Sequence, residues 1–352
     1  MAATPEVKPA PTSPRRGPES GRALGAGAVK LVRSFLTLRE GSIVVVTLVT
    51  FAYFAISANN FVQGNTFKSL LPYFAPLAII AAGEVFVMIL GEIDLSVGAV
   101  YLFTPFMFHV FHHLGLGLYP SLILAVLVAM GCGAVNGFFV AWVGIASFVA
   151  TLGMLFTLDG LSLIISHSTP VQVPGTGIGK ITNFAQVFGG GTYSELIWAL
   201  AFVVVLQLVL SFTRWGLYTV STGGNRLGAA EAGIRTRMII MRNFILAAGL
   251  AGFTGILEVV RTTSATPDPS GSNTLLLQVV AAAIIGGTLM TGGDGTIVGA
   301  LIGALFLGIL TEGLTIKGVN ANYLNLYLGI AILIAMTLNV VVRRVRTGSG
   351  RG

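Results

Sequence analysis

Long apolar runs alternate with short polar or glycine-rich connections along this chain. A helix that spans a membrane needs about 20 mostly apolar residues. Ten runs approach that length, and several contain a glycine or proline, which a helix bundle tolerates where its neighbours satisfy the freed backbone groups. They cover residues 42–60, 70–91, 95–113, 120–143, 146–166, 195–213, 243–261, 275–291, 296–315 and 322–342. The pattern predicts an all-α integral membrane protein with about ten transmembrane helices.

The composition supports the same fold class. Of the 352 residues, 54% are hydrophobic and only 9% are charged, and the mean hydropathy is +0.88. A soluble globular protein carries about 25% charged residues, so water alone would not keep this chain dispersed. Its 46 glycines suit helices that approach closely in a bilayer. The soluble globular and intrinsically disordered classes are therefore excluded.

Lysine and arginine are concentrated in three segments, and this sets the predicted orientation. Segments 1–41, 214–242 and 343–352 hold seven, five and four of the 20 basic residues. Cytoplasmic segments carry such an excess. Six spans before residues 214–242 and four after them place all three segments, and both termini, in the cytoplasm. Because the charges lie at the ends of apolar runs, the net charge of +7 does not predict nucleic-acid binding.

Three parts of the chain are predicted. Residues 1–41 form a basic, disordered tail that ends in a short amphipathic helix on the inner leaflet. Residues 42–342 form the transmembrane domain, and residues 343–352 form a basic cytoplasmic tail. No cleavable signal peptide is expected, because the first apolar run begins near Ser42.

Two long connections, 167–194 and 262–274, fall on the predicted outer side. They are interpreted either as a docking surface for an extracellular partner or as plain connectors. A weak internal similarity links GEIDLSVGA (91–99) with GGDGTIVGA (292–300), which share a Ser or Thr shortly before Val-Gly-Ala. Duplicated architectures are common in transporters, although Gly-Ala pairs occur in any helix bundle.

The chain is predicted to hydrolyse no ATP itself. A phosphate-binding loop has the pattern G-x-x-x-x-G-K-[ST]. The nearest match, GTGIGKIT, is preceded by Pro174 where glycine is required and carries Ile181 where Ser or Thr is required. We therefore expect no cofactor in this chain.

No metal site is predicted either. His109, His112 and His113 share one face of a predicted helix, but acidic ligands are absent from the nearby sequence. Histidines at the membrane interface are the preferred interpretation. The single cysteine, Cys132, has no partner for an internal disulfide and is assigned no function.

Acidic residues in or beside membrane spans are costly, so each is a functional hypothesis. Four such residues are Glu84, Glu92, Asp94 and Asp159. Glu84 lies mid-span, where it would serve as a proton relay, as a hydrogen-bonding group between helices or as a polar contact in a solute pathway. Asp94, Ser96 and Gly98 form a predicted structural motif in which Asp94 caps the following helix.

The segment 213–244 is basic and far longer than a turn between two helices requires. A short helical pattern runs from Arg226 to Ile234, with Asn225 as the predicted N-cap and Gly233 as the predicted end. A short exposed helix on the cytoplasmic face suits a subunit that receives movement from a separate motor. The alternative is a basic loop that only sets the topology.

Four stretches resemble the ribose/xylose-type permeases of bacterial ABC sugar importers. They are GEIDLSVGA (91–99), FVATLGM (148–154), GGNRLGAAEAGI (223–234) and GGTLMTGGDGTIVGALIGALFLGILTEGL (286–314). The resemblance covers about residues 42–342 and is specific in combination. It implies a ten-helix permease, embedded in the lipid of the bacterial cytoplasmic (inner) membrane, that translocates a pentose, hexose or related polyol into the cytoplasm.

The resemblance also implies partners. A second permease copy makes a homodimer, a cytoplasmic ABC ATPase supplies the energy, and an extracytoplasmic sugar-binding protein delivers the substrate. The stretch GGN…AGI corresponds to the loop that couples to the ATPase. The residues implied there are Asn225, Ala230, Glu231, Gly233 and Ile234.

Polar residues of the spans are the candidates for the substrate pathway: Glu84, Asn136, Ser147, Thr151 and Asn322. Glu92 and Asp159 depart from the family's pattern, so the family's substrate identity is not carried over. Two other functions stay open, a proton-coupled secondary carrier that uses Glu84 or Asp94 and a passive channel for a small polar solute. Neither of them explains the GGN…AGI helix.

Overall fold

A computed structural model of the chain describes residues 40–173, 176, 177, 180, 181 and 183–348. The predicted interfacial helix and the rest of the predicted tail up to residue 39 lie outside the described residues, as do residues 349–352. Within the described part, helices dominate and the strands are only two residues long. Helical backbone suits a lipid environment, because it satisfies its own N–H and C=O groups.

The described helices are α1 (Gly41–Ser57), α2 (Gly64–Ile89), α3 (Val97–His113), α4 (Leu118–Phe138), α5 (Ser147–Ile165), α6 (Asn183–Ala185), α7 (Ser194–Phe212), α8 (Arg214–Gly224), α9 (Arg226–Glu231), α10 (Thr236–Thr262), α11 (Pro269–Ile285), α12 (Ile297–Ile316) and α13 (Ala321–Gly348). Five-residue π-helical segments follow α4 (Phe139–Val143) and α6 (Gln186–Gly190). The strands are β1 (Val171–Gln172), β2 (Thr176–Gly177), β3 (Lys180–Ile181) and β4 (Ser264–Ala265).

Each predicted span overlaps one helix of at least 17 residues. Among the described residues, six helices are long and apolar enough to cross a membrane: α2, α4 with its π-helical extension, α5, α7, α10 and α12. A multi-pass helical membrane protein is thereby confirmed, while the crossing of all ten helices and the orientation of the termini stay predictions.

The predicted span 275–291 is displaced as a whole and is observed as α11. This helix begins earlier because Asp268 caps it, accepting from the Gly271 N–H at 3.1 Å, and Pro269 occupies its first turn. It also ends earlier, before Gly287, whose φ of +100° lies outside the helical region.

Helices α2 and α10 form the centre of the bundle. Over its most apolar window α2 is 89% buried, whereas the similarly apolar α5 and α7 are 28% buried. Helix α10 packs against α2, α3 and α4, and α12 packs against α2. Small residues permit these approaches, since a Cβ on Gly133 of α4 would overlap the Phe244 carbonyl oxygen of α10. The two central helices therefore position the loops at both ends of the bundle.

The two predicted outer connections, 167–194 and 262–274, meet in the structure. Strand β1 of the first pairs with β4 of the second in antiparallel fashion, with Gln172 opposite Ser264. The His109 ring of α3 lies beside this pair, with its Nδ1 atom 3.0 Å from the Gln172 carbonyl oxygen. We call the surface formed around this pairing the β1–β4 surface.

Candidate functional site at the junction of three loops

Three loops that are distant in the sequence meet at one end of the bundle. They connect α2 to α3, α8 to α9, and α11 to α12. The Gly293 N–H donates to the Ile89 carbonyl oxygen at 2.7 Å, and a Cβ on Gly223 would overlap that same oxygen. A Cβ on Gly292 would lie 2.8 Å from the Gly91 nitrogen. We call Gly91, Gly223, Gly224, Gly292 and Gly293 the glycine junction.

Glycine is required at four of the five positions of this junction, for two reasons. Gly91, Gly292 and Gly293 have φ values of +76°, +82° and +81°, a region that other residues rarely adopt. At Gly223 the backbone is helical, but its approach to Ile89 leaves no room for a side chain. The loops therefore touch backbone to backbone. Such a contact transmits displacement directly, because no flexible side chain lies within it.

Three of the four stretches that carry the family resemblance supply this junction. They are residues 91–99, 223–234 and 286–314. The two internally similar segments, 91–99 and 292–300, lie side by side here, and each leads into a helix. The fourth stretch, FVATLGM, contributes Thr151 to the segment described next.

The segment 93–96, just before α3, is irregular and partly buried, yet its N–H groups all have side-chain acceptors. The four bonds run from Ile93 to Ser147 (3.2 Å), from Asp94 to Glu84 (2.9 Å), from Leu95 to Thr151 (3.1 Å) and from Ser96 to Asp94 (2.9 Å). Irregular backbone is tolerated at membrane depth only where such partners exist. Side chains of α2 and α5 therefore hold this segment in place.

A second layer of hydrogen bonds reaches α4. Ser96 Oγ donates to Asp94 Oδ1 at 2.6 Å, and the Asn136 side-chain amide donates to Ser96 Oγ at 2.8 Å. The expected capping of α3 by Asp94 therefore takes a different form. Asp94 accepts from Ser96, and Ser96 at the N-cap position makes no side-chain bond to the first turn because Asp94 and Asn136 occupy its hydroxyl.

Two carboxylates lie inside this network. Glu84 and Asp94 are both 0% exposed. Within the described residues, one oxygen of each carboxylate, Glu84 Oε2 and Asp94 Oδ2, has no hydrogen-bond partner. A buried, incompletely satisfied carboxyl group is costly in a bilayer, so these two residues are candidates for function, as is the buried Asp159, whose Oδ1 also has no partner in the described chain.

The structure brings four of the five pathway candidates together and leaves one apart. The four that surround segment 93–96 are Glu84, Asn136, Ser147 and Thr151. Asn322 lies in the exposed first turn of α13, where its N–H donates to Asn320. Asp159 is buried in α5, outside this network. Gly98, of the predicted structural motif, packs so closely on α11 that a Cβ would overlap the Ser272 carbonyl oxygen.

The predicted coupling segment forms the short helix α9, and both of its predicted end signals are confirmed. Asn225 caps it by accepting from the Gly228 N–H at 2.9 Å, and Gly233, with a φ of +84°, follows its end. The helix stops at Glu231, earlier than predicted, because the chain turns and the Ile234 N–H donates to the Ala229 carbonyl oxygen. Ala229 is buried, whereas the candidates Ala230 and Glu231 are exposed.

An ion pair joins α9 to the segment before α3. Arg226 Nη1, in the first residue of α9, lies 3.2 Å from Glu92 Oε1. A cavity of about 390 Å³ opens beside the pair and is also lined by Arg237 and by the turn between α4 and α5. Sequence reasoning left Glu92 without a role, since no local pattern signals a partner 134 positions away.

Asn243 of α10 makes a second connection that sequence reasoning missed. Its amide group donates to the Phe86 carbonyl oxygen of α2 at 2.8 Å, and its oxygen accepts from the Trp215 indole N–H of α8 at 2.7 Å. The side chain is fully buried. A polar amide inside an apolar run was the available signal. Asn243 fixes α8, the helix that leads into the glycine junction.

Metal chemistry finds no support in the described part of the chain. No group of three or more His, Cys, Asp or Glu residues is arranged there to hold a metal ion. The His109 and His113 rings lie 4.3 Å apart at one end of α3, and Cys132 is a free, partly buried thiol.

Comparison with known proteins identifies similar chains. The profile of a family described as branched-chain amino acid transport system / permease component matches residues 66–337. The xylose/arabinose import permease protein of Sulfolobus acidocaldarius is 32% identical over 315 residues, which cover 85% of this chain and 83% of that protein. The ribose import permease protein of Escherichia coli K12 is 32% identical over 308 residues, which cover 86% and 94%. The D-allose transport system permease protein of the same organism is 27% identical over 310 residues, which cover 87% and 93%. No solved structure matches the chain.

Proposed function

The chain belongs to the branched-chain amino acid transport system / permease component family, and from this membership we propose that it is the membrane-spanning permease subunit of an ATP-binding-cassette importer for a monosaccharide. The observation that carries the proposal is the position of α9. This short exposed helix begins directly after Gly223 and Gly224, which lie against the loops that lead into α3 and α12. A motor that moves α9 would therefore move the bundle.

Force would travel from a cytoplasmic ABC ATPase along two routes. The first is the glycine junction, where the chain before α9 contacts the end of α2 and the loop that leads into α12 by backbone alone. The second is the ion pair of Arg226 with Glu92, which leads to segment 93–96 and so to α2, α4 and α5. Both routes shift helices relative to one another without covalent chemistry in this chain, and ATP and Mg²⁺ stay on the partner.

The remaining features of the proposal concern topology and partners. Helix α10 has 27 residues and is therefore about 40 Å long. Segment α9 precedes it and β4 follows it, so the coupling helix and the β1–β4 surface lie at opposite ends of a helix that is long enough to span a bilayer. We place α9 and both termini in the cytoplasm and the β1–β4 surface outside, facing a sugar-binding protein. A second copy in the cytoplasmic membrane completes a homodimeric pathway.

A monosaccharide is favoured over an amino acid by the names of the similar proteins. The family description refers to branched-chain amino acids, but the three relatives described above carry names that refer to xylose or arabinose, ribose, and D-allose. Each of them aligns with more than four-fifths of this chain. The proposal is therefore import of a pentose, a hexose or a related polyol.

The test is uptake of labelled D-xylose, D-ribose, D-allose and L-leucine in cells that express the chain with its neighbouring genes. One arm depletes ATP while preserving the proton gradient, and the other collapses the gradient while preserving ATP. We expect uptake of one or more sugars to be lost only on ATP depletion. Sugar uptake that survives ATP depletion would refute the importer, and uptake of leucine alone would refute the substrate class.

One observation favours a second candidate, a proton-coupled secondary carrier. Glu84 and Asp94 are fully buried, and each has one carboxylate oxygen without a partner in the described chain, as a proton-carrying pair would. If the protein is such a carrier, uptake is lost when the proton gradient is collapsed. It also requires that Glu84→Gln abolish gradient-driven uptake while the protein still inserts into the membrane.

A further inference from the structure

A cavity of about 550 Å³ lies at the end of the bundle opposite to the glycine junction, between α3, α10 and α11. Its volume falls within the range of about 300–1,000 Å³ that is typical of small-ligand pockets. Strand β4 contributes to its wall, so the cavity adjoins the β1–β4 surface. The polar side chains that line it are Tyr101, Glu258, Thr262, Ser264, Thr266, Asp268 and Ser272. Nothing in the coupling route described above uses this cavity.

The charges around the cavity disfavour a zwitterionic ligand. Among the described residues, no Lys, Arg or His side chain lines it. An amino acid would therefore find no cation for its carboxylate group. The basic side chain of Arg261 lies outside the lining and binds Glu258 on one side and Glu195, at 3.2 Å, on the other. This pairing compensates the charge of Glu258 but leaves its oxygens able to accept further hydrogen bonds.

Four of the seven polar side chains of the lining, those of Glu258, Thr262, Asp268 and Ser272, offer acceptors to a ligand. The Thr262 hydroxyl donates to the Glu258 carbonyl oxygen at 2.9 Å, and the Ser272 hydroxyl donates to the Pro269 carbonyl oxygen at 2.8 Å. Because their protons are engaged, both hydroxyls present lone pairs to the cavity. The Asp268 carboxylate accepts one bond from its own helix and can accept more. An acceptor-rich lining suits a ligand that carries many O–H donors.

Apolar and aromatic groups of the lining complement the C–H faces of a sugar ring. Leu102, Val259 and Leu275 line the cavity beside the acceptors, together with the ring of Tyr101. A sugar ring has C–H faces and a belt of hydroxyls, so it can place its faces on these apolar groups and its hydroxyls on the carboxylates. A lipid tail would leave the acceptors unsatisfied, which is costly.

We propose that this cavity binds a neutral polyhydroxylated ligand, a monosaccharide or related polyol, on the side of the permease where substrate arrives. The proposal rests on the proposed function for its orientation and extends it by giving the substrate a defined place. Binding here would precede the movement that the glycine junction transmits, so the two ends of the bundle would divide recognition and coupling between them.

The test uses protection of an introduced thiol, which the sequence makes simple because Cys132 is the only cysteine. In a Cys132→Ala background, Thr266→Cys places a thiol in the cavity wall. The matched control is Thr192→Cys, which lines a separate cavity of about 180 Å³ that also contains Lys68 and Arg261. The purified full-length protein in lipid nanodiscs is labelled with a maleimide in the presence of D-xylose, D-ribose, D-allose, L-leucine or putrescine.

We expect at least one sugar to slow labelling of Thr266→Cys by about threefold at a concentration of about twice its Kd, as occupancy requires, and to leave Thr192→Cys unchanged. Equal slowing of both variants, or slowing by none of the three sugars up to the highest soluble concentration, would overturn the proposal. Slowing by putrescine alone would replace the polyol with a cationic ligand, and slowing by leucine alone would replace it with an amino acid.

A second measurement separates this proposal from the proposed function. Thr266→Trp should fill the cavity and abolish sugar uptake in cells, while Thr192→Trp should retain it. If Thr266→Trp transports sugar normally under ATP, the importer stands and the site is refuted. If a sugar protects Thr266→Cys but uptake depends on the proton gradient, the site stands and the importer is refuted.

Discussion

The two ends of the bundle are built in opposite ways. At the glycine junction, loops meet through backbone atoms, and three of the five glycines have positive φ values. At the β1–β4 surface and the cavity beside it, side chains contribute to the contacts in addition to the backbone pairing of β1 with β4, among them the ion pairs of Arg261 and the ring of His109. Backbone contacts transmit displacement but recognise little, whereas exposed side chains recognise ligands and adjust to them. This difference is the reason why we propose coupling at one end and recognition at the other.

The largest effect is expected where the backbone contact is tightest. Gly223→Ala places a Cβ on the Ile89 carbonyl oxygen, whereas Gly224→Ala, one residue on, has its nearest neighbour, the Gly293 Cα, at 4.0 Å. Because neither backbone segment can yield without moving its helix, we expect Gly223→Ala to destabilise the protein by about 1–3 kcal/mol and to abolish uptake. Thermal unfolding in detergent and sugar uptake are the measurements.

Gly224→Ala serves as the control for that experiment, and it should retain most of the uptake and the wild-type unfolding temperature. If the two variants behave alike, or if Gly223→Ala transports normally, the glycine junction does not depend on a tight backbone contact. The contrast between the two ends would then be lost.

A smaller effect is expected where side chains support the junction. Thr151→Val removes the acceptor of the Leu95 N–H, while Thr157→Val, on the exposed face of the same helix, removes only a bond to the Gly153 carbonyl oxygen. An unpaired, partly buried N–H costs about 1–3 kcal/mol, so Thr151→Val should lower stability by that amount and reduce uptake. Thr157→Val should change stability and uptake only slightly. Equal behaviour of the two variants in unfolding and uptake assays would show that segment 93–96 needs no side-chain support.

The smallest effect on stability, and the sharpest on coupling, concerns Glu92 and Arg226. The Arg226 side chain is 49% exposed, so loss of the pair should cost no more than about 1 kcal/mol. Glu92→Arg and Arg226→Glu should each lower the amount of sugar transported per ATP hydrolysed, and the double variant should restore it. The measurement is paired uptake and ATPase activity of the complex with its ATPase in proteoliposomes.

Arg237→Glu is the control for the charge reversal, since Arg237 lines the same cavity but contributes no ion pair within the described residues. It should leave the transport-to-hydrolysis ratio near the wild-type value. A double variant that is no better than the single variants would show that the pair does not link α9 to segment 93–96.

Much of the fold follows from local pattern. The apolar runs predicted every long helix, because burial of a 20-residue apolar stretch in lipid is decided by that stretch alone. The cap at Asn225 and the end at Gly233 were predicted for the same reason, since both signals act within one helical turn. The helix α9 was still predicted too long, because its last residues depend on the turn that follows.

The site was predictable only in part. The residues Glu84, Asn136, Ser147 and Thr151 were singled out as polar groups in apolar runs and as candidate lining for a solute path, and a proton relay or a structural hydrogen bond was an alternative for Glu84 alone. The structure shows them bonded to one loop, an arrangement that depends on four helices at once. Asn243 and the partner of Glu92 were missed, because hydrogen bonds and ion pairs between distant residues leave no periodic trace.

What the sequence determined by itself was the class of protein, the helices and the ends of α9, because hydrophobicity and capping act locally. What only the tertiary structure decided was which loops meet and why their glycines are needed. A glycine in a sequence shows that a close approach or a positive φ is allowed, but not which backbone comes near. Gly223 and Gly224 are adjacent and chemically identical, but the end of α2 and the loop before α12 leave no room for a Cβ at Gly223, whereas Gly224 has room for one.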